Sequence, residues 1–314
     1  FIQAQDQSLM NYKAPALPQH FLWRRFHSLM GIWLVIFLCE HLLTNSQAAL
    51  SLGLEGTGFI KMVNFIQGLP FLPVIEVVLL GAPFVIHAIW GVMYLRQAKL
   101  NSLPCDGSTP NMSQYSANHR YSWQRVTSWI LLLGIILHVV HMRFLEIPQD
   151  IGNGISKRFL VELSFDDELY SLSPRFGFSL FDEKRIQEEK WLLEDSLHGE
   201  VILKEGVTQD LITQKSKDHY SLRKDSLAIE DYQINELEEL VEALDGYSLE
   251  QGKIIAISSD FGTAMLLVVR DTFKNPWMVA LYTLFVLAAC YHAMNGLWSF
   301  LISWGISVTE RSQA

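Results

Sequence analysis

Four histidines lie at membrane depth in four long apolar stretches, where their side chains could bind a metal or carry protons. The stretches are Phe21–Asn45 with His41, Phe71–Leu95 with His87, Trp123–Arg143 with His138, and Pro276–Ile306 with His292. Each is long enough to cross a hydrocarbon layer of about 30 Å as a helix. An ionisable side chain is costly inside a bilayer, so it marks a functional site. One such histidine per helix predicts a bundle that holds haem between its helices.

Depth sorts the four histidines into two pairs. At a rise of about 1.5 Å per residue, His87 and His292 each lie roughly 24 Å from the outer end of their spans. His41 and His138 lie near the outer side, so the two pairs are roughly 15 Å apart. Two stacked bis-histidine haems need such a spacing to carry electrons across a membrane. Two axial imidazoles leave no open position on the iron, so these haems carry electrons and do not bind oxygen.

Glycine lies four residues from three of these histidines, on the same helix face. The pairs are His87/Gly91, Gly134/His138 and His292/Gly296. A missing side chain beside a ligand lets a flat macrocycle approach the helix backbone. Small residues also serve plain helix packing in membranes, and this alternative is open for any single pair. Three pairs at matching depths favour haem.

Two further histidines leave alternatives open. His141 lies one turn beyond His138 on the same face and could replace it as the outer ligand. His27 lies at the inner rim beside Arg24 and Arg25, where we expect a polar role toward quinone, a haem propionate or a partner subunit. A simple interfacial histidine is the alternative for His27.

The basic residues predict the orientation of the spans. Arg24 and Arg25 precede the first span, and Arg96, Arg120 and Arg125 flank the loop between the second and third spans. Lysine and arginine concentrate on the cytoplasmic side, so the N-terminus should be cytoplasmic. The long segment between the third and fourth spans should then be external.

That segment differs in charge from the rest of the chain. Of 314 residues with a formal net charge of −9, the part from Asp150 to Asp260 holds 25 acidic and 12 basic residues. This acidity argues against nucleic acid as a ligand, because nucleic-acid binding needs basic patches.

The segment is long enough for a compact α+β domain, with strands at Glu200–Lys204 and Lys253–Ser258 and a helix near Ile229–Leu244. A partly ordered loop is the alternative.

The predicted fold is an all-α transmembrane helix bundle with this polar insert. The predicted division, by residue number, is a cytoplasmic tail at 1–20, three spans within 21–146, an acidic extracytoplasmic insert at 147–271, a fourth span at 272–308 and a cytoplasmic end at 309–314. His198 and His219, in the insert, are predicted to be ordinary surface histidines.

Several motifs, covering about 200 residues, resemble one known family. They are Arg24-Arg25-Phe26-His27-Ser28-Leu29-Met30-Gly31, Glu40-His41-Leu42, His87-Ala88-Ile89-Trp90-Gly91, Gln124-Arg125-Val126-Thr127, Asn295-Gly296-Leu297-Trp298-Ser299-Phe300 and Trp304-Gly305-Ile306, with Val308-Thr309 and Arg311-Ser312-Gln313. In these the chain resembles the cytochrome b membrane-anchor subunit of succinate dehydrogenase, in the single-polypeptide, di-haem form of Gram-positive bacteria and chlamydiae.

The resemblance implies two b haems, the inner one liganded by His87 and His292 and the outer one by His41 and His138. It implies a quinone, commonly menaquinone, as electron acceptor near the outer haem. It also implies a flavoprotein and an iron–sulfur subunit on the cytoplasmic face of a bacterial inner membrane. Arg24, His27 and Ser28 lie in the first matched motif and are predicted to contact a cofactor. The chain itself would carry no dehydrogenase active site.

Two features depart from that family, and two other functions stay open. The family has a fifth helix, which this sequence lacks, and we expect the sequence to be incomplete. The family usually has a short loop where this chain has its acidic insert.

The same subunit could serve a quinol:fumarate reductase working in the opposite direction. Alternatively, the histidines could line a transporter or proton path, which would favour more membrane carboxylates than Glu40 and Glu76.

Overall fold

The computed structural model describes residues 18–49, 55–97, 102, 112–151, 157–195, 235–246, 249–307 and 309. In chain order its elements are α1 (Gln19–Ser46), α2 (Thr57–Gln67), α3 (Leu72–Gln97), α4 (Ser116–Leu145), β1 (Gln149–Ile151), β2 (Arg158–Ser164), α5 (Glu168–Phe176), β3 (Phe178–Phe181), α6 (183–195), α7 (235–245), β4 (Lys253–Ser258), α8 (Phe261–Thr272) and α9 (Pro276–Ser303).

Four of these helices, α1, α3, α4 and α9, are long and apolar enough to cross a membrane. Each contains 26 to 30 residues, and each includes one of the four predicted spans in whole or in large part. A helix satisfies all its backbone polar groups internally, which a lipid environment requires. Many large apolar side chains on these helices are exposed, as lipid-facing residues are; Ile36 and Leu133 are each 61% exposed. The predicted helical membrane bundle is confirmed.

The fourth membrane helix ends earlier than the apolar stretch in the sequence, because a glycine cap stops it. The fourth span was predicted to reach Ile306, but α9 ends at Ser303. Gly305 has a φ of +71° there, its N–H donates to the carbonyl of Ile302, and the N–H of Ile306 donates to Leu301. This is a Schellman cap, which stops a helix with a left-handed residue that glycine adopts readily.

Two of the spans contain a π-helical turn near one end. In α3 it covers Glu76–Gly81, and in α4 it covers Val140–Leu145, beginning two residues after His138. Such turns leave irregular backbone carbonyls and are frequent at functional sites. The carbonyl of Leu79, inside the first turn, accepts a hydrogen bond of 2.7 Å from the indole N–H of Trp33.

The chain divides into two compact units. The membrane unit takes the described residues within Phe1–Leu42, Phe71–Ile136 and Thr283–Ala314, and the second unit takes those within Leu43–Pro70 and Leu137–Tyr282. The domain boundaries from the sequence stay a prediction, but the insert itself is a compact α+β fold in its described part. The alternative that the insert is a partly ordered loop does not apply to those residues.

The second unit is built on an antiparallel sheet with the strand order β1-β2-β4-β3. Neighbouring residues of the central strand β4 face opposite sides of the sheet. Ile254 and Ala256 pack against one apolar cluster with residues of α5 and α8, and Ile255 and Ile257 pack against another with residues of α6 and α7. The sheet therefore has helices on both faces.

The three secondary-structure elements predicted for the insert can be compared with the structure. The strand Lys253–Ser258 is confirmed as β4. The predicted helix near Ile229–Leu244 is observed as α7 in its described part, and residues 229–234 lie outside the described residues. The predicted strand Glu200–Lys204, with His198 and His219, lies outside the described residues.

The segment between the first two spans also joins the second unit. It forms α2, which packs on α8. The contact is close, because a Cβ on Gly262 would lie 2.5 Å from the carbonyl oxygen of Ile60. Asn64 accepts a 2.7 Å hydrogen bond from the N–H of Gly262 and donates one of 3.0 Å to Asp260.

Candidate haem-binding site

The membrane unit brings three histidines together from α1, α3 and α9. The rings of His87 and His292 have centroids 6.3 Å apart and lie at 79° to each other. The ring of His27 stacks on His87 with a centroid separation of 4.1 Å and an angle of 11°. The structure thus brings the predicted inner pair together and places His27 against it, and the predicted polar role of His27 stays a prediction.

Two glycines let α1 and α3 approach each other at this level. A Cβ on Gly31 would lie 3.0 Å from Cε1 of His87, and a Cβ on Gly91 would lie 3.9 Å from Cε1 of His27. Each histidine therefore lies over the glycine of the other helix. The described neighbour of Gly91 is the imidazole of His27.

The Nδ1 atoms of both predicted inner ligands have hydrogen-bond partners. Nδ1 of His87 lies 3.3 Å from the carbonyl oxygen of His27, and Nδ1 of His292 lies 3.4 Å from the hydroxyl oxygen of Thr127. A metal-binding histidine usually uses one ring nitrogen for such a bond, which fixes the tautomer and leaves the other nitrogen for the metal. This pattern would leave Nε2 of both residues for a metal.

The separation of the two rings fits a single iron between them. Two imidazoles on opposite sides of one metal, each bound at about 2 Å, place their ring centres roughly 6 Å apart. The observed 6.3 Å between His87 and His292 agrees with this requirement. The residues present therefore fit an axial pair for haem iron.

Two hydrogen bonds connect α4 to α9 beside His292. The side-chain amide of Gln124 donates to the backbone carbonyl of His292 at 3.2 Å, and Asn295 donates to Gln124 at 2.8 Å. The nearest atom to a Cβ on Gly296 would be Nε2 of Gln124, at 3.9 Å. These groups fix the height of His292 relative to α4.

The second unit places His138 beside a tyrosine hydroxyl. Nδ1 of His138 lies 3.1 Å from the hydroxyl oxygen of Tyr282. The alternative ligand His141 has a buried Nδ1 without a hydrogen-bond partner, and its Nε2 lies 3.8 Å from a carboxylate oxygen of Glu146. The arrangement at His138 is the one expected of a metal ligand, so it favours His138 over His141.

The remaining predicted site residues have more ordinary surroundings. His41 lies in the membrane unit, 5.4 Å from the ring of Phe37 between centroids, so its pairing with His138 in the second unit stays a sequence prediction. A Cβ on Gly134 would lie 2.6 Å from the ring of Phe285, so this glycine allows a close contact with Phe285 of α9. That Gly91, Gly134 and Gly296 admit a macrocycle stays a prediction.

The predicted residues of the first motif lie near the start of α1. Ser28 accepts a 3.3 Å hydrogen bond from the indole N–H of Trp304, and the neighbouring Arg25 lies over the ring of Trp304. Arg24 is exposed. These contacts tie α1 to the end of α9 but leave the predicted cofactor contacts of Arg24, His27 and Ser28 as predictions.

Sequence reasoning missed the partners of the histidine Nδ1 atoms. Thr127 and Gln124 are three residues apart on α4 and therefore share a helix face, which was a usable signal. Tyr282 lies ten residues before His292 on the same helix and gave no signal, because nothing in the sequence places it beside His138.

One comparison with known proteins agrees with the motifs. A stretch of 126 residues, 40% of the chain, is 34% identical to the succinate dehydrogenase cytochrome b558 subunit of Bacillus subtilis (strain 168). The chain spans 56% of that relative's length. No family model and no solved structure matches the chain. The similarity to this relative confirms the resemblance that the motifs indicate, to the cytochrome b membrane-anchor subunit of succinate dehydrogenase.

Proposed function

We propose that this chain is the di-haem cytochrome b anchor of a succinate:quinone oxidoreductase. It holds an inner b haem between His87 and His292 and an outer one between His41 and His138. The observation that carries the proposal is the geometry of His87 and His292, whose rings are 6.3 Å apart with both Nδ1 atoms engaged. The similarity to a succinate dehydrogenase cytochrome b558 subunit gives independent support.

In this proposal the chain's own residues bind the haem, orient the two imidazole rings and keep water away from the site. His87 and His292 would hold the inner haem iron through Nε2, Thr127 and the carbonyl of His27 would hold the two rings in place, and the surrounding apolar helices would lower the local dielectric. A bound b haem with two axial imidazoles supplies a one-electron carrier whose potential depends on these neighbours. Electrons would enter on the cytoplasmic side and leave to a quinone, by the family resemblance menaquinone, near the outer level.

The proposed partners are a flavoprotein and an iron–sulfur subunit on the cytoplasmic face. Basic side chains near the predicted inner ends of the spans could receive them: Arg24, Arg25, Arg96, Arg120 and Arg125. Two of these are stabilised over aromatic rings, Arg120 above Trp298 at 4.2 Å and Arg125 above Tyr121 at 3.9 Å. The succinate-oxidising active site belongs to the partners, and the proposed location is a bacterial inner membrane with the N-terminus inside.

The experiment that tests this proposal is a reduced-minus-oxidised spectrum with haem quantification on membranes that contain the full chain. Two low-spin b haems per chain would support the proposal. A correctly inserted chain without haem would contradict it and would favour a proton or ion path along the histidines.

A further inference from the structure

Thr127 lies on α4 facing His292, and its side chain is buried, with 5% of its surface exposed. We propose that the Thr127 hydroxyl oxygen is the positioning group of the inner haem site, which fixes the tautomer of His292 and lowers the reduction potential there. The inference rests on the proposed function, because it takes His292 to be an axial ligand.

The hydrogen bonds of Thr127 decide which partner donates. Its hydroxyl lies 2.8 Å from the carbonyl oxygen of Trp123 and 3.1 Å from that of Gln124. A hydroxyl has one hydrogen and two acceptor lone pairs, and a carbonyl oxygen can only accept. The hydrogen of Thr127 is therefore committed to the backbone. Toward His292, at 3.4 Å, the Thr127 oxygen acts as an acceptor, so Nδ1 of His292 carries the proton.

The position of this acceptor is set by neighbouring contacts and does not depend on Thr127 alone. Gln124 donates to the backbone carbonyl of His292, and Asn295 donates to Gln124. The two bonds connect α4 to α9 at the height of His292. The imidazole therefore meets a fixed oxygen on its Nδ1 side, and Nε2 is presented as the ligating nitrogen.

The bond has a direct consequence for the haem. An axial imidazole that donates through Nδ1 becomes a more basic ligand, which stabilises ferric iron over ferrous iron. Removing the acceptor should therefore raise the reduction potential of the haem bound by His292. On the scale of one neutral hydrogen bond, we expect a change of about two- to thirteenfold in the ferric-to-ferrous ratio. A tenfold change is about 59 mV for a one-electron couple.

The test is a potentiometric titration of the full, haem-loaded chain in membranes, with electron paramagnetic resonance of the ferric state. Thr127→Val keeps the shape and removes the acceptor, so one haem should shift to higher potential with a changed low-spin signal. Thr127→Ser restores the oxygen and should restore both readouts. Ser128→Ala is the matched control, because Ser128 makes a similar bond of 2.8 Å to the carbonyl of Arg125 and no described contact with His292.

Failure of this inference and failure of the proposed function give different results. A wild-type chain without haem overturns the proposed function, and this inference with it. A wild-type chain with haem, whose potentials and signals are unchanged in Thr127→Val, overturns the role of Thr127 alone. Equal shifts in Thr127→Val and Ser128→Ala would also overturn it. If the valine variant does not assemble, Thr127→Ala removes the same acceptor and must show the same upward shift.

Discussion

His138 and Tyr282 meet across two helices, with Nδ1 of the histidine 3.1 Å from the hydroxyl oxygen of the tyrosine. The tyrosine ring is held in turn by Phe273, which contacts it edge-on at a centroid separation of 5.0 Å. Phe273 lies in the short turn between α8 and α9. The second unit therefore positions the residue that is proposed as an outer axial ligand.

Replacing Tyr282 with phenylalanine should raise the reduction potential of the haem bound by His138. A His138 that binds iron through Nε2 would donate through Nδ1, so the change would remove the acceptor of that proton while keeping the aromatic ring. We expect about a two- to thirteenfold change in the ferric-to-ferrous ratio. A redox titration measures it. Tyr291→Phe, on the same helix, is the control and should leave both potentials unchanged. An unchanged titration for Tyr282→Phe would show that His138 does not use this hydroxyl while bound to iron.

Gly134→Ala should destabilise the membrane unit through a steric clash. Its Cβ would lie 2.6 Å from the ring of Phe285, and overpacking of this kind costs about 1–3 kcal/mol. Thermal unfolding of the purified protein measures the loss. Gly296→Ala is the comparison, because its Cβ would find its nearest neighbour at 3.9 Å and should be tolerated. Phe285→Leu in the Gly134→Ala background should restore part of the stability; no restoration would argue against the clash.

Asn64→Ala should weaken the contact between α2 and α8. The variant removes the acceptor of the Gly262 N–H and the donor to Asp260, and loss of a partner for buried polar groups costs about 1–3 kcal/mol. Lys61→Ala, an exposed change on the same helix, should have little effect. Thermal unfolding combined with limited proteolysis of the second unit compares the two. Equal stability of both variants would show that this pair of hydrogen bonds does not hold α2.

The ion pairs of Asp166 should make the second unit less stable in acid. Hydrogen bonds of 2.7 and 3.0 Å from the Arg270 guanidinium, with Lys274 as a further partner, hold the pKa of the Asp166 carboxyl well below its usual range. The pKa of Arg270 is raised by the same contact. Because the folded-state pKa is depressed, the contribution is complete above the unfolded pKa of about 3.9 and is lost as the pH falls below it.

Asp166→Asn should therefore be less stable than wild type at pH 7, and the difference should shrink toward pH 3. Thermal unfolding at both pH values measures it. Asp167→Asn is the matched control, because Asp167 is the exposed neighbour and its side chain makes no cap hydrogen bond to α5. A wild-type advantage of equal size at both pH values would contradict the role assigned to the Asp166 charge.

The membrane helices could be predicted from the sequence because lipid imposes a strong constraint. A span must be helical and apolar over a fixed length, so α1, α3, α4 and α9 follow from hydropathy alone. The pairing of His87 with His292 also followed from depth, because helix rise is constant. Within the insert, β4 was predictable from its run of β-branched residues, Ile254, Ile255 and Ile257.

The finer features depend on side-chain contacts between distant parts of the chain. The stacking of His27 on His87 depends on the crossing of α1 and α3 at Gly31 and Gly91. The depth of a histidine along its span does not show where two helices cross. The packing of α2 on α8 joins segments about 200 residues apart. Local patterns carry no information about such partners, so these contacts had to come from the structure.

The central claim is that His87 and His292 bind the same iron. Its most direct measurement is the haem content and redox titration of two single variants, His87→Ala and His292→Ala, in membranes that contain the full chain. The account predicts that both variants lose the same b haem and keep the other at its wild-type potential. If the two variants lose different haems, or if both retain the full wild-type haem content, the pairing is wrong.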